Sequence, residues 1–295
     1  MINPHPALPE FDYIQPTSLE EASHFLAQHP AEARPFLGGT DCFVRMRDGA
    51  WKVKYMVDVK NLDGVKNISF APAGLTIGAS VNMNQVIASP DVNKYYPLLA
   101  EAAHSVASYQ LRTRATIVGN ICNASPAGDT IGACIVYEGQ LHIYNAKGSR
   151  TEPLRNFFTG PGKTILQPGD IVTAISFPIP PAGHTGKYLK LGRNKLGDLA
   201  IVGVTALGYP DITVPSGFSF KLALASVAPV PLAPTQAEAL LANKPLSEAT
   251  IAEAAQLAMD ACTPIDDVRG GARYRKYMVR NLTRQAISDV WARIR

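Results

Sequence analysis

Apolar residues recur along this chain in two rhythms, and the rhythm changes near residue 178. From Thr17 to His29, TSLEEASHFLAQH sets Ala22, Phe25 and Leu26 on one face at helical spacing. Ser18 precedes Glu21 by three residues, as in a capping box, so the segment is expected to be a helix. ARPFLGGTDCFVRMR then reads as a short apolar strand, a Gly-Gly turn and more apolar residues. YMVDVKNL and GLTIGASV read as strands on either side of a turn-rich VKNISFAPA. NMNQVIAS and PLLAEAAHSVAS carry helical periodicity, and EGQLHIYNAKGSRTEPL resembles a strand, a turn and another strand.

The change of rhythm falls at PIPPAG, a Pro/Gly connection. Beyond it KYLKLGR, AIVGVTALGY and FSFKLALASVA alternate or run apolar as strands do. SEATIAEAAQLAMDAC and GARYRKYMVRNLTRQAISDVWARI read as two amphipathic helices. The expected class is α+β, with one unit over residues 1–178 and a β-rich unit finished by helices over 179–295.

Composition narrows the function classes without choosing one. The 295 residues are 46% apolar and 18% charged, as in ordinary globular proteins, and the net charge of +4 is mild. Arg269, Arg273, Arg275, Lys276, Arg280 and Arg284 crowd into sixteen positions near the C-terminus. At helical spacing they fit a solvated face, or a docking surface for an acidic partner, better than nucleic-acid contact. MINPHPALPEF lacks the basic and apolar regions of a secretory signal, and no apolar run approaches a membrane span. Cys42, Cys122, Cys134 and Cys262 are scattered without a CxxC, which suits reduced thiols in the cytoplasm rather than a metal cluster.

Two stretches carry candidate chemistry. In Leu37-Gly38-Gly39-Thr40-Asp41, and again in Thr116-Ile117-Val118-Gly119-Asn120, consecutive backbone N–H groups meet little steric cover. Such a concave turn offers positive partial charge to an anion, and hydroxyls at Thr40 and Thr116 could add contacts to phosphate oxygens. Neither is a Walker A loop or a GxGxxG fingerprint. The second turn belongs to ATIVGNICNASPAGD, a run too small and polar to be core, closed by Asp129. Cys122 has no neighbouring His, Lys or Cys to lower its pKa and reads as a packed small residue. Arg112 and Arg114 could neutralise phosphate or meet a partner. Tyr188 and Lys190 could form an acid–base couple or pack on a cofactor. Asp266-Asp267 resembles a carboxylate pair for acid/base work, although adjacent residues on an extended loop usually point apart.

FLGGTDCFVRMR and PLLAEAAHSVASYQLRTRATIVGNICNASPAGD together resemble the FAD-binding subunit of the molybdenum hydroxylases, which include xanthine, carbon monoxide and nicotinate dehydrogenases. The resemblance continues in FFTGPGKTILQPGDIVTAISFP, KYLKLGRNKLGDLAIVGV and TPIDDVRGGARYRKYMVRNLTRQA, so it covers essentially the whole chain in order. It implies a flavin domain of the vanillyl-alcohol-oxidase (PCMH) type with subdomains over about 1–58 and 59–178. A further flavoprotein domain of sheet and helices is implied over 179–295. It implies FAD on this chain, with the molybdenum cofactor on a large partner subunit and two [2Fe-2S] clusters on a small one. A dimer of such three-subunit units is common in the family.

Carried over by residue, Leu37, Gly38, Gly39, Thr40 and Asp41 form one side of a pyrophosphate cradle, and Thr116, Gly119 and Asn120 the other. Asp129 is implied to bind ribose hydroxyls, Ile171 to meet the adenine through its backbone, Lys190 to approach the flavin, and Leu199 to cover the isoalloxazine. Val118 stands where a glycine is common, which is expected to restrict the approach of phosphate. Leu199 replaces a tyrosine of some relatives, and the cysteine-rich insertion of hydroxybenzoyl-CoA reductases is absent. Under this reading Asp129→Ala and Gly39→Val are expected to weaken FAD retention and leave the fold largely intact. The competing readings are a self-sufficient flavin oxidase of a small alcohol or amine, and a flavin-free assembly or scaffold subunit.

Overall fold

The computed structural model describes residues 7–194 and 197–295. The first six residues of MINPHPALPEF, and Lys195 and Leu196 within KLGRNKLGD, lie outside the described residues.

The first part builds a small parallel sheet from β1 (Asp12–Ile14), β2 (Ala33–Phe36) and β3 (Tyr55–Asp58), in the order β1-β3-β2. Helix α1 (Leu19–Gln28) lies between β1 and β2. Ser18 accepts the Glu21 N–H as expected, but the Glu21 carboxylate turns to the N–H and hydroxyl of Thr17, so only half of the capping box forms. Parallel neighbours cannot be joined by a tight turn, so β2 reaches β3 through a crossover containing α2 (Cys42–Arg47). The residues after the Gly-Gly turn, read only as an apolar run, are thus helical. The turn itself stands at the carboxyl end of a parallel strand, where ligands collect in open parallel sheets. Phe36, Met46, Val53 and Met56 form the core here.

The second part is a five-stranded antiparallel sheet interrupted by helices. Its strands are β4 (Ile68–Ala71), β5 (Gly74–Gly78), β6 (Gln140–Tyr144), β7 (Arg150–Pro153) and, after the ribbon of β8 (Phe158–Gly160) and β9 (Lys163–Thr164), β10 (Ile171–Phe177). The order is β4-β5-β10-β6-β7. Strand β4 lies inside VKNISFAPA, which was expected to be turn-rich. It is a half-exposed edge strand of only four residues, so a weak apolar signal suffices. Between β5 and β6 run α3 (Met83–Ala88), α4 (Pro90–Tyr95), α5 (Pro97–His104), α6 (Tyr109–Arg112), α7 (Ile117–Asn123) and α8 (Ile131–Val136). The run ATIVGNICNASPAGD therefore contains a helix rather than one open turn.

The third part is an antiparallel meander of β11 (Thr185–Leu191), β12 (Val202–Pro210) and β13 (Phe218–Ala225). Three helices follow it, α9 (Thr235–Asn243), α10 (Glu248–Asp260) and α11 (Ala272–Ile294), where the apolar pattern foretold two. Helices α9 and α11 cover one face of the sheet, while α5 and α8 approach the other. Coverage on both faces explains why β12 is buried from Val202 to Gly208 and reads as an unbroken apolar run. Tyr188, Leu207 and Ala223 enter the same core cluster as Leu98 and Cys134, so the meander shares a core with the part before it. Lysines cross this junction as well. Lys187 pairs with Glu101 at 2.8 Å, Lys190 with Asp129 at 2.7 Å, and Lys221 with Glu138.

Candidate functional site

The two candidate segments meet through backbone at Gly38 and Arg114, which are 76 residues apart in sequence. A Cβ at Gly38 would overlap the carbonyl oxygen of Arg114 and come 3.2 Å from the Ala115 nitrogen, so only glycine permits this approach. Gly39 has φ +75°, a left-handed conformation costly for other residues, and a Cβ there would overlap the Phe36 ring. Leu37, Gly38, Gly39 and Thr40 are partly exposed and Asp41 is exposed, so the turn lies open.

The second side differs from the sequence expectation. Thr116 is the N-cap of α7, and its hydroxyl accepts the Gly119 N–H at 2.8 Å. That amide belongs to the first helical turn and already has a partner. Val118, expected to crowd a phosphate, is 1% exposed and packs into the core, so its bulk points away from the open side. Asn120 accepts the Thr130 hydroxyl at 2.8 Å, which orients its amide. Asn123, on the same helix, has a buried Oδ1 without a hydrogen-bond partner among the described residues. In the sequence Asn123 is one polar residue among several in ATIVGNICNASPAGD. Spacing of Thr116, Asn120 and Asn123 at three and four residues was the available signal.

Asp129 is a buried charge, 6% exposed. Its Oδ1 accepts the Tyr188 hydroxyl and its Oδ2 accepts Lys190 Nζ, both at 2.7 Å. Lys190 donates also to the Ser105 carbonyl at 3.1 Å. Tyr188 and Lys190 lie two apart on β11 and so share a face. Burial pushes the Asp129 carboxyl above the usual range, with Lys190 and Tyr188 pulling the other way. Burial, then the Asp129 charge, pushes the Tyr188 hydroxyl well above its ordinary value. Each carboxylate oxygen has two lone pairs, so Asp129 can take further donors while keeping both partners.

The remaining candidates are dispersed. Ile171 opens β10 opposite Tyr144 with its side chain in the core, which leaves only its backbone to face a ligand. Leu199 is 47% exposed and follows Asp198, whose carboxylate accepts the Arg193 and Leu199 N–H groups. Arg112 spends its guanidinium on the His104 and Val106 carbonyls and on Asn84, so it is structural. The Cys122 thiol is pushed up to about 12 by burial, in keeping with an unreactive packed residue. Arg275 is 2% exposed and belongs to no docking surface. It donates to the Ile201 and Ser226 carbonyls and to Asp267, while Ser226 donates through its N–H to Pro126 and through its hydroxyl to Ala200. The motif around Asp267 thus ties α11 to the loop before Asp129 and to the segment after Leu199. Asp266 caps the Ala272 N–H, which makes the pair a structural turn.

The family described as "FAD binding domain in molybdopterin dehydrogenase" matches residues 9–180, and the "CO dehydrogenase flavoprotein C-terminal domain" matches residues 187–290. The chain belongs to the FAD-binding subunits of the molybdenum hydroxylases. It is 30% identical to the xanthine dehydrogenase FAD-binding subunit of Escherichia coli O157:H7, over 95% of this chain and 96% of that one. Identity to the carbon monoxide dehydrogenase medium chain of Hydrogenophaga pseudoflava is also 30%, covering 97% and 98%. The solved Hydrogenophaga carbon monoxide dehydrogenase lacking the Mo-pyranopterin moiety has a chain that superposes with TM-score 0.93 at 31% identity, covering 98% of this chain and all of that one. The α+β fold class stands, and these relatives are subunits of oxidoreductases.

The residues of this flavoprotein subunit suit FAD. Glycine at 38 and 39 keeps the first turn open, Val118 is turned inward, and Asn123 Oδ1 awaits a donor of the kind that cofactor hydroxyls supply. Among the described residues no helix is long and apolar enough to cross a membrane.

Proposed function

We propose that this chain holds FAD between the Leu37–Asp41 turn and the start of α7, and relays electrons for a molybdenum hydroxylase complex. The observation that carries the reading is the contact of Gly38 with the Arg114–Ala115 backbone, which sets two glycine-bearing segments beside one another at an open surface. In this reading Leu37, Gly38, Gly39, Thr40 and Asp41 face one side of the pyrophosphate, and Thr116, Gly119 and Asn120 the other. Gly119 contributes by its lack of a side chain beside the Thr116 hydroxyl more than through its amide, which Thr116 holds. Asp129 and Lys190 form the polar wall toward the third part of the chain, Ile171 offers backbone, and Leu199 is apolar cover.

Bound FAD supplies the interchange between one-electron and two-electron transfer. The chain's own task is to bind it, orient it and limit water at the Asp129 wall. No general base is required of these residues. Electrons arrive, in this proposal, from two [2Fe-2S] clusters on a small subunit, and a large subunit carries the molybdenum cofactor. An external NAD+, oxygen or quinone receives them. A cytoplasmic dimer of heterotrimers, with a domain division at 178, completes the proposal.

The purified chain tests this directly. It is expected to be yellow and to release FAD rather than FMN on denaturation. A colourless chain that cannot be reconstituted with FAD would sink the proposal.

A further inference from the structure

Tyr188 is a buried polar group that cofactor binding, as set out above, does not use. It projects from β11 toward the loop after α7, is 6% exposed, and donates a 2.7 Å hydrogen bond to Asp129 Oδ1. Its ring packs in the core cluster shared by both parts of the chain. Gly203, opposite Lys190 on β12 and diagonal to Tyr188, leaves room for the hydroxyl: a Cβ there would stand 3.0 Å from Tyr188 Oη. A hydroxyl buried only for packing would be replaceable by phenylalanine, because the apolar ring already fills the space.

The charged and titratable groups facing this point are few. Lys190, also on β11, meets the other oxygen of Asp129. From α5, Glu101 accepts Lys187 Nζ at 2.8 Å and lies 3.4 Å from the Tyr188 N–H, so its charge is partnered. The end of that helix offers only the Ser105 carbonyl, and Thr130, next to Asp129, is engaged with Asn120. Thus, among the described residues, Tyr188 and Lys190 alone hold the carboxylate through side chains, one on each oxygen.

We propose that Tyr188 is a positioning residue of the flavin site, its hydroxyl holding Asp129 ionised and fixed in rotation so that the Asp129–Lys190 pair stays in register with the cofactor. This rests on the assignment of FAD to the cradle. Hydrogen bonding to the charged form of a buried acid favours that form, against the burial that raises its pKa. Removing the hydroxyl therefore raises the pH at which Asp129 takes up a proton.

The test is FAD retention of the full chain, titrated against pH by flavin fluorescence for wild type, Tyr188→Phe and Asp129→Asn. Wild type is expected to release FAD along an acid limb. In Tyr188→Phe that limb should move up by about one pH unit, with roughly tenfold weaker binding on the limb, the size of one hydrogen bond to a charged group. Asp129→Asn should lack the limb. Thermal melts at neutral pH show whether Tyr188→Phe has folded. A folded Tyr188→Phe with the wild-type limb and affinity would overturn the proposal, as would an Asp129→Asn that keeps the limb. If Tyr188→Phe does not fold, the hydroxyl serves the fold instead, and the proposal also fails. A wild-type chain that takes up no FAD at any pH marks failure of the flavin assignment itself, a result distinct from these.

Discussion

The two sides of the proposed cradle look alike in sequence and are built differently. Leu37–Asp41 is a true turn at the carboxyl end of β2, held by a left-handed glycine over Phe36 and by the bare backbone of Gly38 against Arg114. Thr116–Asn120 is the opening of α7, stabilised by its own N-cap. The first side depends on what its glycines lack; the second depends on a hydrogen bond that Thr116 makes. Two glycines with the same apparent role should therefore respond to very different degrees to the same substitution.

The largest effect is expected from Gly38→Ala. Its Cβ overlaps backbone, which cannot rotate aside, so the two sides must part; a cost of about 3 kcal/mol and loss of bound flavin are expected. Denaturant midpoints and the flavin-to-protein ratio measure both, and a stable, flavin-loaded variant would break the comparison. Gly39→Val falls in the same class, since its Cβ meets the Phe36 ring at positive φ. The expectation that it spares the fold is thus corrected.

Asp129→Ala comes next. It strands Lys190, only 15% exposed, and the Tyr188 hydroxyl, so stability should fall by about 2–3 kcal/mol together with FAD affinity. This too departs from the expectation of an intact fold, because the acid is part of the junction with β11. Asp129→Asn keeps the volume and should cost less, which equilibrium unfolding of the pair would reveal.

Thr116→Val removes the cap of α7 and leaves the Gly119 amide without its partner. About 1 kcal/mol is expected, with FAD weakened less than in Gly38→Ala. Smallest of all should be Gly119→Ala. The added Cβ would stand 2.8 Å from the Thr116 hydroxyl, which can rotate aside only by loosening the cap, while alanine favours the helix, so the net loss should stay below about 1 kcal/mol. If Gly119→Ala proved as damaging as Gly38→Ala, the two sides would be equivalent after all.

The residues proposed for the cradle were marked in the sequence unevenly. Gly38, Gly39 and Gly119 stand out because small residues beside apolar strands have few uses other than close approach. The helical nature of α7 was hidden, since Gly119, Asn120 and Asn123 are weak helix formers and Ala124 ends the helix in a left-handed conformation. Arg275 looked like surface because buried arginines are rare; its partners, the Ile201 and Ser226 carbonyls, are 74 and 49 residues away in sequence.

Local pattern alone determined the strands of the meander, the long C-terminal helix and the two glycine-bearing segments. Period-two and period-3.6 burial leave their marks within a few residues. The family likeness, too, was carried by short motifs in order. Only the tertiary structure decided that Arg114 backbone lies on Gly38, that Val118 points inward, and that Asp129 is held from another part of the chain by Tyr188 and Lys190. Those contacts join residues 59 to 76 positions apart. Nothing in either local sequence is altered by such a contact, so packing alone brings it into being.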